Sequence, residues 1–186
     1  MNEAAKCMIT VDEAVLLMID MQNKLLPVMN DRESLVQNIS HLIRGCQLLG
    51  VPLLYSEQYP QGLGRTTPEI LQWLPSDGCV EKIVFSAFRE PLFREKLERA
   101  GRKKVIIAGI ESHVCVVQTA LDLLANGYEV FAPVDAVSSR TDANRRIGLS
   151  LMERAGGVLT SVEAVVFQLF ERAGGDAFKE FQRMIR

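Results

Sequence analysis

A chain of 186 residues is long enough to bury a sizeable core, and 48% hydrophobic with 24% charged residues is the balance of an ordinary globular protein. A formal net charge of -2 supplies no general attraction to nucleic acid or to an anionic membrane, and no run approaches the ~18 apolar residues of a membrane span. The four cysteines (Cys7, Cys46, Cys79, Cys115) form no CxxC pair, and the two histidines give no zinc spacing. The first residues are mixed and acidic, without the apolar stretch of a secretory signal. The expectation is therefore a reduced, cytoplasmic protein with free thiols.

Apolar runs alternate with amphipathic segments along the chain. Residues 14–19 read as a buried strand, and Leu35, Ile39, Leu42, Ile43 and Leu49 follow at helical spacing until Gly50. Residues 51–55 form the next strand. The polar stretch 56–79, broken by Gly62, Gly64 and Pro68, is long for a plain connection and reads as a functional loop with a short helix at 68–73. A short strand is expected at 81–85, a helix at 91–100, a strand at 104–108 and a helix at 114–125 closed by Asn126-Gly127. Residues 128–133 and 158–159 supply two more strands. Helices are expected at 143–155, 161–170 and 177–185. Strand–helix alternation with nearly continuous apolar strands predicts an α/β fold in one domain: a three-layer α-β-α sandwich around a mainly parallel, six-stranded, Rossmann-like sheet. In such folds the active site lies at the carboxyl ends of the strands, near a reversal of strand order.

Three residues of complementary chemistry stand near the ends of apolar runs. Cys115 follows the run Val105-Ile106-Ile107-Ala108-Gly109 through a polar turn and opens a helical stretch, where unpaired N–H groups and the helix dipole favour a thiolate. The bland reading is a small core residue. Lys82 opens the 82–85 run; it is either a solvated charge or the cation that stabilises that thiolate. Asp20 ends the run Val15-Leu16-Leu17-Met18-Ile19, and either caps the next turn or serves as general base for the thiol. Asp135 is another strand-end acid. Gln22, Tyr59 and Phe88 fall in or after loops at the same expected edge, and the two aromatic rings either stack on a flat substrate or pack within the loops. His113 reads as structural or as a second base. Arg140 either braces the loop of Asp135 or binds a carboxylate.

Four motifs in order resemble the isochorismatase-like hydrolase (cysteine hydrolase) family: Met18-Ile19-Asp20-Met21-Gln22, Lys82-Ile83-Val84-Phe85-Ser86-Ala87-Phe88, Gly109-Ile110-Glu111-Ser112-His113-Val114-Cys115-Val116 and Asp135-Ala136-Val137-Ser138-Ser139-Arg140. The resemblance runs over residues 11–185. It implies a three-layer α/β fold and a catalytic Asp20, Lys82 and Cys115, with the cysteine attacking an amide or related carbon and water resolving the covalent intermediate. It further implies a non-proline cis peptide between Glu111 and Ser112, with the N–H groups of Ser112 and Cys115 forming an oxyanion hole. Where nicotinamidase members of the family carry a metal-binding Asp-x-His, this chain reads Ser56-Glu57-Gln58-Tyr59-Pro60-Gln61-Gly62. The resemblance is thus to the small branch, found in bacteria and animals, that lacks the nicotinamidase metal motif. It implies a small-molecule substrate, no cofactor, no metal, no nucleic-acid or membrane partner, and a homo-oligomer. The competing reading is a scaffold or regulatory oligomer that keeps the fold without turnover. A nucleotide-binding protein is disfavoured because neither GxGxxG nor a Walker A sequence occurs.

Overall fold

The computed structural model describes residues 3–185. In chain order it contains α1 (Glu3–Lys6), β1 (Ala14–Ile19), α2 (Arg32–Leu48), β2 (Leu53–Gln58), α3 (Pro60–Leu63), α4 (Pro68–Leu71), β3 (Cys79–Lys82), α5 (Pro91–Ala100) and β4 (Lys104–Ile110). There follow α6 (Val117–Ala125), β5 (Glu129–Pro133), β6 (Val137–Ser138), α7 (Asp142–Arg154), β7 (Val158–Thr160), α8 (Val162–Phe170) and α9 (Gly175–Met184).

The sheet is seven-stranded, in the order β3-β2-β1-β4-β5-β7, with β6 paired to β4. All its strand pairs are parallel. β1 and β4 are buried at every position, which is why both read as unbroken apolar runs. Alternate side chains serve opposite layers. Ala14, Leu16 and Met18 of β1 with Ile106, Ala108 and Ile110 of β4 join a core that includes Leu42 and Cys46 of α2, Val165 of α8 and Phe181 of α9. Val15, Leu17 and Ile19 with Val105 and Ile107 join the opposite core, under Phe93 of α5, Leu123 of α6 and Met152 of α7. The three-layer sandwich is therefore the observed fold. No described helix is long and apolar enough to cross a membrane.

The sheet differs from expectation at the ends of several strands and in one added strand. The seventh strand is β6, whose two residues carry no apolar run to betray it. β5 pairs with β4 only at 104–106, and β6 takes its place further along, setting Val137 against Gly109 and Ser138 against Ile110. The third strand is displaced: it spans Cys79–Lys82 and ends at the lysine instead of beginning near it. Its neighbour β2 ends at Gln58, the register partner of Lys82, so the chain beyond has no strand to pair with. Ile83, Val84 and Phe85 turn outward and are exposed.

The strand order reverses at β1, which has β2 on one side and β4 on the other. Gly109 makes the approach there very close. Its φ is +116°, and a Cβ at this position would lie 2.1 Å from the Ile19 carbonyl oxygen. Only glycine fits, and its fit brings the end of β4 beside the end of β1, where Asp20 begins.

Candidate active site

At the carboxyl edge, the ends of β1, β2, β3 and β4 bring three predicted residues together. Asp20 follows β1 with φ of +52°, a left-handed conformation that aspartate adopts more readily than most residues. Its side chain does not cap a local turn. Oδ2 accepts from Lys82 Nζ at 2.7 Å and Oδ1 accepts from the Ser56 hydroxyl at 2.7 Å. Both side chains of the Asp20–Lys82 ion pair are wholly buried. A buried pair of this kind persists only where further hydrogen bonds satisfy its remaining polar atoms. Ser56 supplies one. Gln58 Oε1 and the Phe85 carbonyl supply two more, accepting from Lys82 Nζ at 2.7 and 3.2 Å.

Cys115 approaches the pair from β4. After Ile110 the chain enters one π-helical turn, Ser112–Val116, that leads into α6. Gly148 of α7 lets that helix lie against the turn: a Cβ there would sit 2.4 Å from Ser112 Oγ. Ser112 is buried and its hydroxyl donates to the Arg145 carbonyl of α7 at 3.1 Å. The turn thus rests on a packed helix, with the Cys115 thiol facing the ion pair and only 7% of the residue exposed. Burial pushes the thiol up to about 12, the Asp20 carboxylate adds to that, and the Lys82 ammonium pulls against both. The net direction is upward, against the expected lowering: desolvation and the nearby carboxylate outweigh the cation.

The cis peptide lies one residue earlier than expected, between Ile110 and Glu111. β4 runs two residues beyond its predicted end because β6 pairs with Gly109 and Ile110, so the chain leaves the sheet at Ile110. Glu111 turns toward Arg140, accepting from its backbone N–H and from Nε, each at 3.1 Å. Arg140 therefore binds a carboxylate of its own chain. His113 Nδ1 pairs with the Ser139 hydroxyl at 3.0 Å, a brace between the turn and the segment after β6. Asp135 accepts from Val162 N–H at the start of α8.

The three residues expected to bind substrate part company. Gln22 is fully buried and its amide is engaged with backbone: Nε2 donates to the carbonyls of Gln58 and Gly64, and Oε1 accepts from Gln58 N–H. It braces the loop. Phe88 is partly buried against the apolar layer, edge-on to Tyr128 with ring centroids 6.0 Å apart. Tyr59 remains at the rim. It is half exposed, its N–H donates to the Lys82 carbonyl at 2.9 Å, and its ring lies over Gly62.

Ser56 and Gln58 also hydrogen-bond the ion pair, although the sequence alone leaves them in a polar loop. Strand alternation carries the signal: Leu54 faces the α5–α6 layer, so Ser56 and Gln58 follow on that same face of β2, as Lys82 follows Val80 on β3. Among the described residues no group of three or more His, Cys, Asp or Glu side chains is placed to hold a metal ion.

Residues 14–164 match the family model described as the isochorismatase domain. The chain belongs to the isochorismatase family. It is 37% identical over 174 residues to isochorismatase domain-containing protein 2 of Danio rerio, covering 92% of this chain and 86% of that one. It is 35% identical over 178 residues to isochorismatase domain-containing protein 2A of Mus musculus, covering 94% and 84%. Among solved structures, the MAR1 ribonuclease of Caenorhabditis elegans superposes with a TM-score of 0.89 at 35% identity, over 96% of this chain and 92% of that one. The family resemblance carried by the sequence motifs and the parallel α/β fold thus stand together.

Proposed function

We propose that this isochorismatase-family protein is a thiol hydrolase of a small amide-like or related substrate, with Cys115 as nucleophile, Asp20 as general acid and base, and Lys82 as the fixed cation. The observation that carries the reading is one thiol set against both members of a buried ion pair. Such a pair is costly to bury, and its placement beside a nucleophile at the strand-order reversal gives it a chemical use.

The chemistry follows from the resting thiol. Because burial and Asp20 hold the Cys115 proton on, the sulfur attacks as Asp20 removes that proton. The S–H bond breaks, an S–C bond forms to the substrate, and Lys82 offsets the charge developing on sulfur. The negative charge on the attacked group is received by backbone N–H groups of the turn that holds Ser112 and Cys115. Asp20 then gives the proton to the leaving group as its bond to the attacked carbon breaks. Water, deprotonated by Asp20, forms a C–O bond to that carbon as the S–C bond breaks, and Asp20 returns the proton to the sulfur. Glu111 contributes by holding Arg140 and so shaping the wall of the turn.

The test is a product-release assay over a panel of small amides, ureas and vinyl ethers, with Cys115→Ala as the control. Turnover that vanishes in the variant supports the reading. Undiminished turnover in Cys115→Ala overturns it, and a panel that gives none favours the scaffold. RNA belongs in the same panel because the C. elegans relative is called a ribonuclease. The net charge of -2 and the closed position of Cys115 speak against a polyanionic substrate. Self-association is a second part of the proposal. Tyr59, Ile83, Val84 and Phe85 form an exposed apolar rim beside Lys82, suited to burial against another copy. Light scattering on the purified protein reads the assembly directly, and a monomer at all concentrations refutes it.

A further inference from the structure

Gln58 is the uncharged side chain that hydrogen-bonds Lys82 Nζ. Its backbone is clamped by the Gln22 side chain, which accepts from Gln58 N–H at 2.8 Å and donates to its carbonyl at 2.9 Å. Its own amide bridges two groups of opposite character. Nε2 donates to the Ile83 carbonyl at 2.7 Å, and Oε1 accepts from Lys82 Nζ at 2.7 Å. A carbonyl can only accept and an ammonium can only donate, so the amide has one satisfied orientation.

Lys82 Nζ has three acceptors: Asp20 Oδ2, Gln58 Oε1 and the Phe85 carbonyl. Only the first is charged, and only the first changes charge during the proposed reaction. When Asp20 takes the thiol proton, its carboxylate loses the charge that holds Lys82. The two neutral acceptors do not titrate. They hold Nζ at the same point through the whole cycle, when its charge is needed by the sulfur.

We infer that Gln58 is a positioning residue that keeps the Lys82 ammonium beside Cys115 while Asp20 cycles between its two protonation states. The inference rests on the proposed triad. It adds a residue that touches neither the thiol nor the attacked carbon and acts through Lys82. Phe85 contributes a backbone carbonyl, so among the neutral acceptors Gln58 alone is open to side-chain substitution.

The experiment is the rate of Cys115 alkylation by iodoacetamide between pH 6 and 10, located by peptide mass mapping so that Cys7, Cys46 and Cys79 are scored separately. Gln58→Met keeps the length and removes the acceptor. Gln58→Asn keeps the amide and withdraws it by one methylene. Either variant that stays folded is expected to alkylate Cys115 about tenfold more slowly, the equivalent of about 1.4 kcal/mol. A merely structural role moves the rate the other way, because a loosened loop exposes the thiol. An unchanged or faster rate in a folded variant overturns the inference. Lys82→Met separates this from failure of the triad itself. If that variant slows Cys115 and the Gln58 variants do not, the inference fails alone. If Lys82→Met leaves Cys115 unaffected, the triad reading fails with it.

Discussion

Cys46 and Cys115 are both buried thiols, and burial pushes both up to about 12. They lie on opposite faces of the same sheet. Cys46 sits on α2 in the layer closed by α8 and α9, with desolvation as the only cause of its shift. Cys115 sits in the opposite layer, where a carboxylate pushes its proton on and an ammonium pulls it off. The comparison teaches that burial alone makes a thiol inert. What separates a nucleophile from a core residue is a base to take the proton and a cation to hold the charge left behind. A shifted thiol by itself distinguishes neither.

Substitution of the two cysteines should break the symmetry most visibly. Cys115→Ala is expected to lower turnover at least about 10³-fold with the fold intact, by the precedent of other hydrolase nucleophiles. Cys46→Ala should leave turnover within about twofold and lower stability by about 1 kcal/mol. Turnover assays and urea unfolding on both variants check this.

The next effect concerns the ion pair that makes the two layers different. Asp20→Asn leaves the Lys82 charge buried against a neutral amide. The expected loss is about 3–5 kcal/mol of stability together with turnover, read by urea unfolding at pH 7. A variant as stable as the parent would show that the pair is not buried as described.

The pH dependence sharpens the comparison further. Both thiols have folded values raised above the ordinary 9.0. Their contribution to stability is therefore complete below about pH 9 and is lost as pH rises toward about 12, because the unfolded chain ionises first. For the wholly buried Cys46 the loss is on the order of 4 kcal/mol at most. Stability is expected to decline above pH 9, with a shallower decline in Cys46→Ala. Urea midpoints at a series of alkaline pH values test it, and equal slopes in parent and variant would contradict the assignment.

The parts of this molecule that could be read from sequence are those where one force dominates. β1 and β4 are buried on both faces, so their apolar runs were unambiguous, and Asp20 and Cys115 stood out by following them. β2 and β3 are subtler. Ser56, Glu57 and Gln58 look like loop residues, yet they extend β2 because Asp20, Thr66 and Lys82 satisfy their side chains. The apolar run after Lys82 looks like a strand, yet it is exposed because β2 has already ended. By sequence Gln22 and Phe88 fall near the carboxyl edge of the sheet, but position does not tell which way a side chain points. Gln22 turned to backbone partners and Phe88 to Tyr128.

Cys115, and no other thiol, is expected to carry the substrate during turnover. This is tested most directly by quenching the protein in acid during turnover of an active panel substrate, then measuring intact mass and mapping the peptides. An adduct on Cys115 is expected that forms before product, decays with its release, and is absent in Cys115→Ala. Steady turnover with no adduct on Cys115, sustained in Cys115→Ala, would contradict it.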